Sequence, residues 1–133
     1  MQLYSKKVIE HFTHPKNMGV IKKPSGVGIV GNPICGDIMK IYIKVDKNKK
    51  GEEFIKDIKF QTLGCGAAIA TSSMVTELVK GKTIKEAIKI SNRQNITKKL
   101  DGLPPSKLHC SLLADRALKK AIANYRKKKN EIK

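Results

Sequence analysis

The stretch "DIMKIYIKVDKNKKGEEFIKDIKFQTLGCGAA", residues 37–68, decides how this chain folds. Its first part alternates Met39, Ile41, Ile43 and Val45 with Lys40, Tyr42 and Lys44, the period of a half-buried strand. "KNKKGEE" is a polar turn around Gly51. "FIKDIKFQTL" is the returning strand, with Ile58 and Phe60 on one face and Phe54 aligned with them. A cysteine between two glycines then separates this hairpin from a segment of helical period.

Upstream, "SGVGIVG" (25–31) adds a third short strand, and "SKKVIEHF" (5–12) an amphipathic helix that stops before Pro15, with Val8, Ile9 and Phe12 on its apolar face. Downstream, "GAAIATSSMVTELVKG" (66–81) carries Ile69, Met74, Val75, Leu78 and Val79 at helical spacing and closes at Gly81. "TIKEAIKIS" (83–91) opens on Thr83 and Glu86, the spacing of a capping box. "NITKKLDGL" gives a brief helix or loop. A last helix, capped near Ser106, turns Leu113, Ala117, Leu118, Ala121, Ile122 and Tyr125 inward. Strands first and helices afterwards argue an α+β domain: a three-stranded antiparallel sheet with four to five helices packed on one face. No repeat or linker divides the chain, so residues 1–133 are expected to form one domain, with 126–133 a basic, flexible tail.

Composition removes several classes of function. No apolar run approaches the length of a membrane helix, and "MQLYSKKVIEHF" lacks the pattern of a signal peptide, so a cytoplasmic location is expected and no membrane contact. A net charge of +17 suits phosphate, but arginine is confined to Arg93, Arg116 and Arg126, there is no Trp, and aromatics are 5%. Base readout and stacking draw on those residues. Nucleic acid is therefore an unfavoured partner; the lysine and isoleucine richness resembles a proteome-wide bias or a hot habitat.

Three cysteines remain. Cys35 lies in the loop "GNPICGD", Cys65 in "TLGCGAA" and Cys110 at the start of the last helix, beside His109. All fall at element boundaries and none in an apolar stripe. Helix N-termini favour a thiolate, so Cys65 and Cys110 are expected to have lowered pKa values. The flanking glycines would let backbone approach a bulky inorganic group. Gaps of 30 and 45 residues exclude a local CxxC pair. A site assembled from three loops, with Asp37 and His109 close in sequence, suits a [2Fe–2S] cluster or one tetrahedral zinc. Inert cysteines and a Cys–His thiol enzyme stay open on spacing alone. The thiol enzyme is disfavoured because neighbours on a helix point about 100° apart. His11 and His14 have no motif partner and are expected at the surface.

"CGD", "GCGAAIATSS", "LPPSKLHCSLLADRALKKAI" and "YSKKVIEHFTHPKNMG" closely resemble the signatures of the U-type iron–sulfur cluster assembly scaffolds, IscU and the N-terminal domain of NifU. The resemblance runs in order from the N-terminus to about Tyr125. It implies a scaffold without turnover of its own, which receives sulfur from a cysteine desulfurase and iron from an iron donor. There a transient [2Fe–2S] cluster would be built and then handed to apo iron–sulfur acceptor proteins. It implies cluster ligands Cys35, Cys65 and Cys110, a fourth position filled by Asp37 or His109, and Cys110 as sulfur acceptor. An Hsp70-type chaperone is an implied partner, although Ser106 makes "LPPSK" depart from the LPPVK of bacterial scaffolds. A homodimer is a further expectation. NifU's additional cluster-binding domains are not expected. A zinc-bound sulfur-acceptor protein of SufU type is the alternative, with the same cysteines. Those relatives carry an insertion before the third cysteine and lack the preceding histidine, whereas this chain has no insertion and keeps His109.

Overall fold

The computed structural model describes residues 4–32 and 36–132. Helix α1 (Lys6–Thr13) leads into strands β1 (Gly26–Asn32), β2 (Asp37–Lys47) and β3 (Glu53–Leu63). These form an antiparallel sheet in the order β1-β2-β3. Helices α2 (Gly66–Val79), α3 (Ile84–Ile90), α4 (Arg93–Lys99) and α5 (Leu108–Ile132) follow, the last entered through a 3₁₀ turn at Pro105–Lys107. This is the α+β architecture the alternation implied. The basic segment from Arg126, expected as a tail, instead continues α5 as helix through Ile132.

The hairpin contains one irregularity that alternation does not reveal. Ile41 pairs with Phe60 and Ile43 with Ile58, but Val45 pairs with Ile55, so the register slips by one residue at Lys44/Val45. An extra residue in one strand turns the next side chains over. Ile55 is consequently fully buried, while Phe54, expected on the core face, is only half-buried. The alternation also places Tyr42 outward. It does lie on the outer face, yet it is 7% exposed, because its hydroxyl donates to Gln61 (2.8 Å) and Lys40 lies over its ring.

Beneath the inner face lies α2, buried nearly all round: Ala67, Ala68, Ala70, Thr71, Ser72, Ser73, Val75 and Thr76 are inaccessible. Its small residues let neighbours approach on several sides. Ser72 and Thr76 turn their hydroxyls onto the helix's own carbonyls, Ala68 O (2.8 Å) and Ser73 O (2.7 Å), so burial leaves them satisfied. α3 opens with the Thr83–Glu86 capping box foreseen in the sequence.

Helix α5 lies across β1, and two glycines set how closely. A Cβ on Gly26 or Gly28 would collide with the α5 backbone at Ala117 and Ala121. Ala114, Ala117 and Ala121 form the facing stripe, all fully buried. Small residues on both sides bring a strand and a helix into backbone contact, which fixes where α5 begins. Its far end is held as well, since the Tyr125 hydroxyl and the Lys129 ammonium both donate to Glu53 at the start of β3.

Segments outside the strands complete the backbone bonding of β3. Phe60 N–H donates to Asn17 O (3.0 Å) and Gly19 N–H to Phe60 O (2.8 Å). Further along, Ile55 N–H donates to Lys82 O (2.9 Å) and Gly81 N–H to Ile55 O (2.8 Å). On the opposite edge, Asn124 of α5 accepts from Val27 N–H (2.9 Å).

Helix α1 departs from its expected orientation. Val8 is buried, but Ile9 is 50% and Phe12 45% exposed, while His11 is buried. His11 Nδ1 lies 2.7 Å from Ser73 Oγ, and Nε2 lies 3.3 Å from the Glu77 carboxylate. Polar hydroxyls on α2 thus draw in a polar residue of α1 where an apolar one was expected. His14 is exposed, as the sequence suggested.

Candidate metal centre

Three chain segments meet at one end of the sheet. Asp37 is the first residue of β2, reached through Gly36 in the left-handed conformation (φ 72°), which a residue with a side chain rarely adopts. Cys65 is the N-cap of α2, with extended backbone and no side-chain cap bond, so its sulfur is not engaged by its own helix. Cys110 lies in the first turn of α5. One donor atom from each of Asp37, Cys65 and Cys110 lies within 4.8 Å of the others. His109 joins them, its Nε2 3.7 Å from Cys110 Sγ and 3.9 Å from Asp37 Oδ2. Cys35 lies outside the described residues.

The glycines around Cys65 have a different task from the one expected. A Cβ on Gly64 would sit 2.5 Å from Asp37 Oδ1, and one on Gly66 would meet the Phe12 ring at 2.5 Å. Each makes room for protein: Gly64 admits the Asp37 carboxylate and Gly66 admits the Phe12 ring of α1.

Electrostatics also depart from expectation at Cys110. Burial, then the charges of Cys65 and Asp37, push its thiol up to about 12. A helix start would lower that value. Desolvation beside two anionic groups outweighs it, because Cys110 is fully inaccessible. Asp37 is 4% exposed and Cys65 half-buried. A buried thiol whose charge is disfavoured by a second sulfur and a buried carboxylate is an environment that gains from a cation. The sequence reading overlooked Lys107, whose ammonium is held above its ordinary value chiefly by the Cys65 thiolate. Its position two residues before His109 is the available signal, masked by its place in "LPPSK", which resembles a chaperone-recognition motif.

Two sulfurs, a carboxylate oxygen and an imidazole nitrogen are a donor set suited to zinc or to iron. The arrangement is a poor nucleophile–base pair. His109 Nε2 approaches Cys110 Sγ, but Asp37 Oδ2 lies at a similar distance from both (3.9 and 4.0 Å), so the three converge as donors rather than as a base aimed at a lone thiol.

The family model for the NifU-like N terminal domain matches residues 3–132. The "Iron-sulfur cluster assembly scaffold protein IscU 1" of Archaeoglobus fulgidus is 56% identical over 98% of this chain and 81% of its own length. The IscU scaffold of Rickettsia prowazekii is 52% identical, covering 98% of this chain and 97% of its own. Among solved structures, an iron–sulfur cluster assembly scaffold of the SUF system from Fervidobacterium islandicum superposes with a TM-score of 0.74 at 26% identity, covering 90% of this chain and 96% of that one. A NifU-like N-terminal protein from Brucella abortus shares the fold, with a TM-score of 0.69 over 93% of this chain and 94% of its own. The converging thiols, the carboxylate that a glycine admits between them and the near-complete match have one reading: the chain belongs to the NifU-like N terminal domain family.

Proposed function

We propose that this chain is a scaffold on which a [2Fe–2S] cluster is assembled from iron and desulfurase-delivered sulfur and then passed to apo-proteins. The observation that carries the reading is the convergence of Asp37, Cys65 and Cys110 donors within 4.8 Å in a buried setting. In this reading Cys35 supplies the third thiolate and Cys110 accepts sulfur. The Cys110 thiolate attacks the outer sulfur of a desulfurase persulfide, the S–S bond breaks, and the desulfurase thiolate leaves. Two electrons, delivered by a one-electron-transfer protein or by a pair of thiols that leave as a disulfide, then break the S–S bond on Cys110, releasing sulfide and restoring the Cys110 thiolate. Burial first, and then the charges of Cys65 and Asp37, keep Cys110 protonated; iron held by those two residues would offset their charge and so prime the acceptor. The chain acts without turnover of its own, with a desulfurase, an iron donor and apo acceptors as partners in the cytoplasm. No described helix is long and apolar enough to cross a membrane.

A second reading, a single zinc ion in a sulfur-acceptor protein, rests on the same convergence of Asp37, Cys65 and Cys110, donors that zinc accepts as readily as iron, whereas His109 speaks for the first reading. Anaerobic reconstitution with iron, sulfide and zinc, followed by visible absorption and metal and sulfide assays, separates them. Brown protein with iron and acid-labile sulfide in equal amounts is expected. A colourless protein with one zinc and no sulfide would favour the carrier.

A further inference from the structure

At the opposite end of α5 from the cysteines, a groove of about 660 Å³ opens between α3 and α5. Its floor is Ile88, Ile122 and Ala123, and its walls carry Lys119, Arg126 and Lys127. Among the described residues that line it, none is acidic. On the other side of Arg126 a second hollow, of about 300 Å³, brings Lys47, Lys85 and Lys129 to the same guanidinium. That hollow also holds Glu52 and Glu53, but Glu53 is already engaged by Tyr125 and Lys129. Asp115, the carboxylate beside Lys119, is likewise occupied, by Lys119 at 3.0 Å and by Ser91 at 2.7 Å. Those two pairs also occupy Lys129 and Lys119, which leaves Arg126, Lys127, Lys47 and Lys85 facing Glu52 alone among the described residues that line the two hollows.

An apolar floor between cationic walls selects for more than charge. A nucleic acid would meet cations but no aromatic platform on this floor. An amphipathic protein segment would place its apolar side on Ile88, Ile122 and Ala123 and its carboxylates against the walls. Arginine is the residue suited to anchor such a segment, since its planar fork holds a carboxylate through two parallel hydrogen bonds. Arg126 lies sixteen residues after Cys110, about 24 Å along the helix, so an occupant would leave the cysteines open.

We propose that this groove docks an acidic, amphipathic segment of a partner protein, with Arg126 as its central anchor. The site is independent of what the cysteines bind. The test uses a fluorescent synthetic helix of about 18 residues, with leucine at helical spacing on one face and glutamate on the other. Binding to the full chain is followed by anisotropy at rising salt, alongside methyl NMR of Ile88 and Ile122. The expected result is binding that moves both methyl signals. It should weaken at least about tenfold with Arg126→Glu, with Ala123→Glu, and across the salt series. Unchanged melting temperatures would establish that both variants fold, and cluster reconstitution should equal that of the parent. The proposal is overturned if the peptide does not bind or ignores both substitutions. It is equally overturned if polyglutamate or duplex DNA binds as tightly as the amphipathic peptide, because the surface would then read charge alone.

Discussion

The two ends of α5 are built for opposite charges. At its start, Cys110 faces Asp37 and Cys65 in a largely buried pocket, where desolvation first and the charges of those two neighbours second disfavour its thiolate. At its end, Arg126 and its neighbouring lysines stand in solvent, where repulsion is screened and no single geometry is imposed. The same helix thus presents a cation site with fixed donors and a cationic surface with a diffuse field. Burial makes the difference: it converts charge into directional, mutually exclusive interactions, whereas exposure leaves only long-range attraction.

That contrast is most severely tested at the buried end. Cys65→Ser or Cys110→Ser is expected to abolish stable cluster assembly, read as loss of visible absorption and acid-labile sulfide, because each removes one thiolate. Either variant assembling a normal cluster would remove that residue from the site. Next in size is the clamp that positions both ends. Gly28→Val forces a side chain into the α5 backbone and should cost about 3 kcal/mol of stability, measured by urea unfolding. A loss below about 1 kcal/mol would mean that β1 and α5 separate easily.

Asp37→Ala addresses why the site holds its cargo loosely. A carboxylate is a harder iron ligand than a thiolate, so its loss should lengthen cluster lifetime in air and slow transfer to an apo-ferredoxin several-fold. It should also lower the Cys110 thiol pKa, since Asp37 is one of the charges raising it. An unchanged transfer rate in a folded variant would reduce Asp37 to a turn residue.

A smaller effect separates α1 from both ends. Burial lowers the His11 pKa below its ordinary 6.5, with Glu77 and Glu10 opposing and Lys16 and Lys7 assisting. The folded state therefore prefers neutral imidazole. The stability this contributes is complete above 6.5 and declines as pH falls below it, where the unfolded chain takes up the proton first. The melting temperature should fall between pH 7.5 and 5.5, and His11→Gln should flatten that slope. Smallest is the exposed end: Glu53→Gln weakens the tie to Tyr125 and Lys129 and should cost about 1 kcal/mol, seen as faster amide exchange in the last turns of α5.

What the sequence displayed was local. The β2–β3 alternation, the Thr83–Glu86 box and the placing of Cys65 and Cys110 at helix starts depend on neighbours within a few residues, and each was legible. What it concealed was set by distant partners. The slip at Lys44/Val45 puts Ile55 rather than Phe54 in the core, because strand pairing decides it. His11 is buried because Ser73, sixty-two residues away, offers a hydroxyl. The thiol of Cys110 is pushed up by groups from two other segments, which a rule about helix starts does not include. Gly64 and Gly66 were correctly marked as special, but their neighbours were a carboxylate and an aromatic ring of the protein itself.

The bonds that Asn17, Gly19, Gly81 and Lys82 make to β3, and that Asn124 makes to β1, bear on how this protein behaves when crowded. A three-stranded sheet has two open borders, and unpaired amides there are templates on which a second chain can extend the strand. Here one border is interrupted at two points by loops of the same chain and the other is met by a helix side chain. With a net charge of +17 on each molecule, the remaining short gaps must be approached against mutual repulsion. Both features disfavour fibrillar stacking of one sheet on another, and leave self-association to side-chain surfaces.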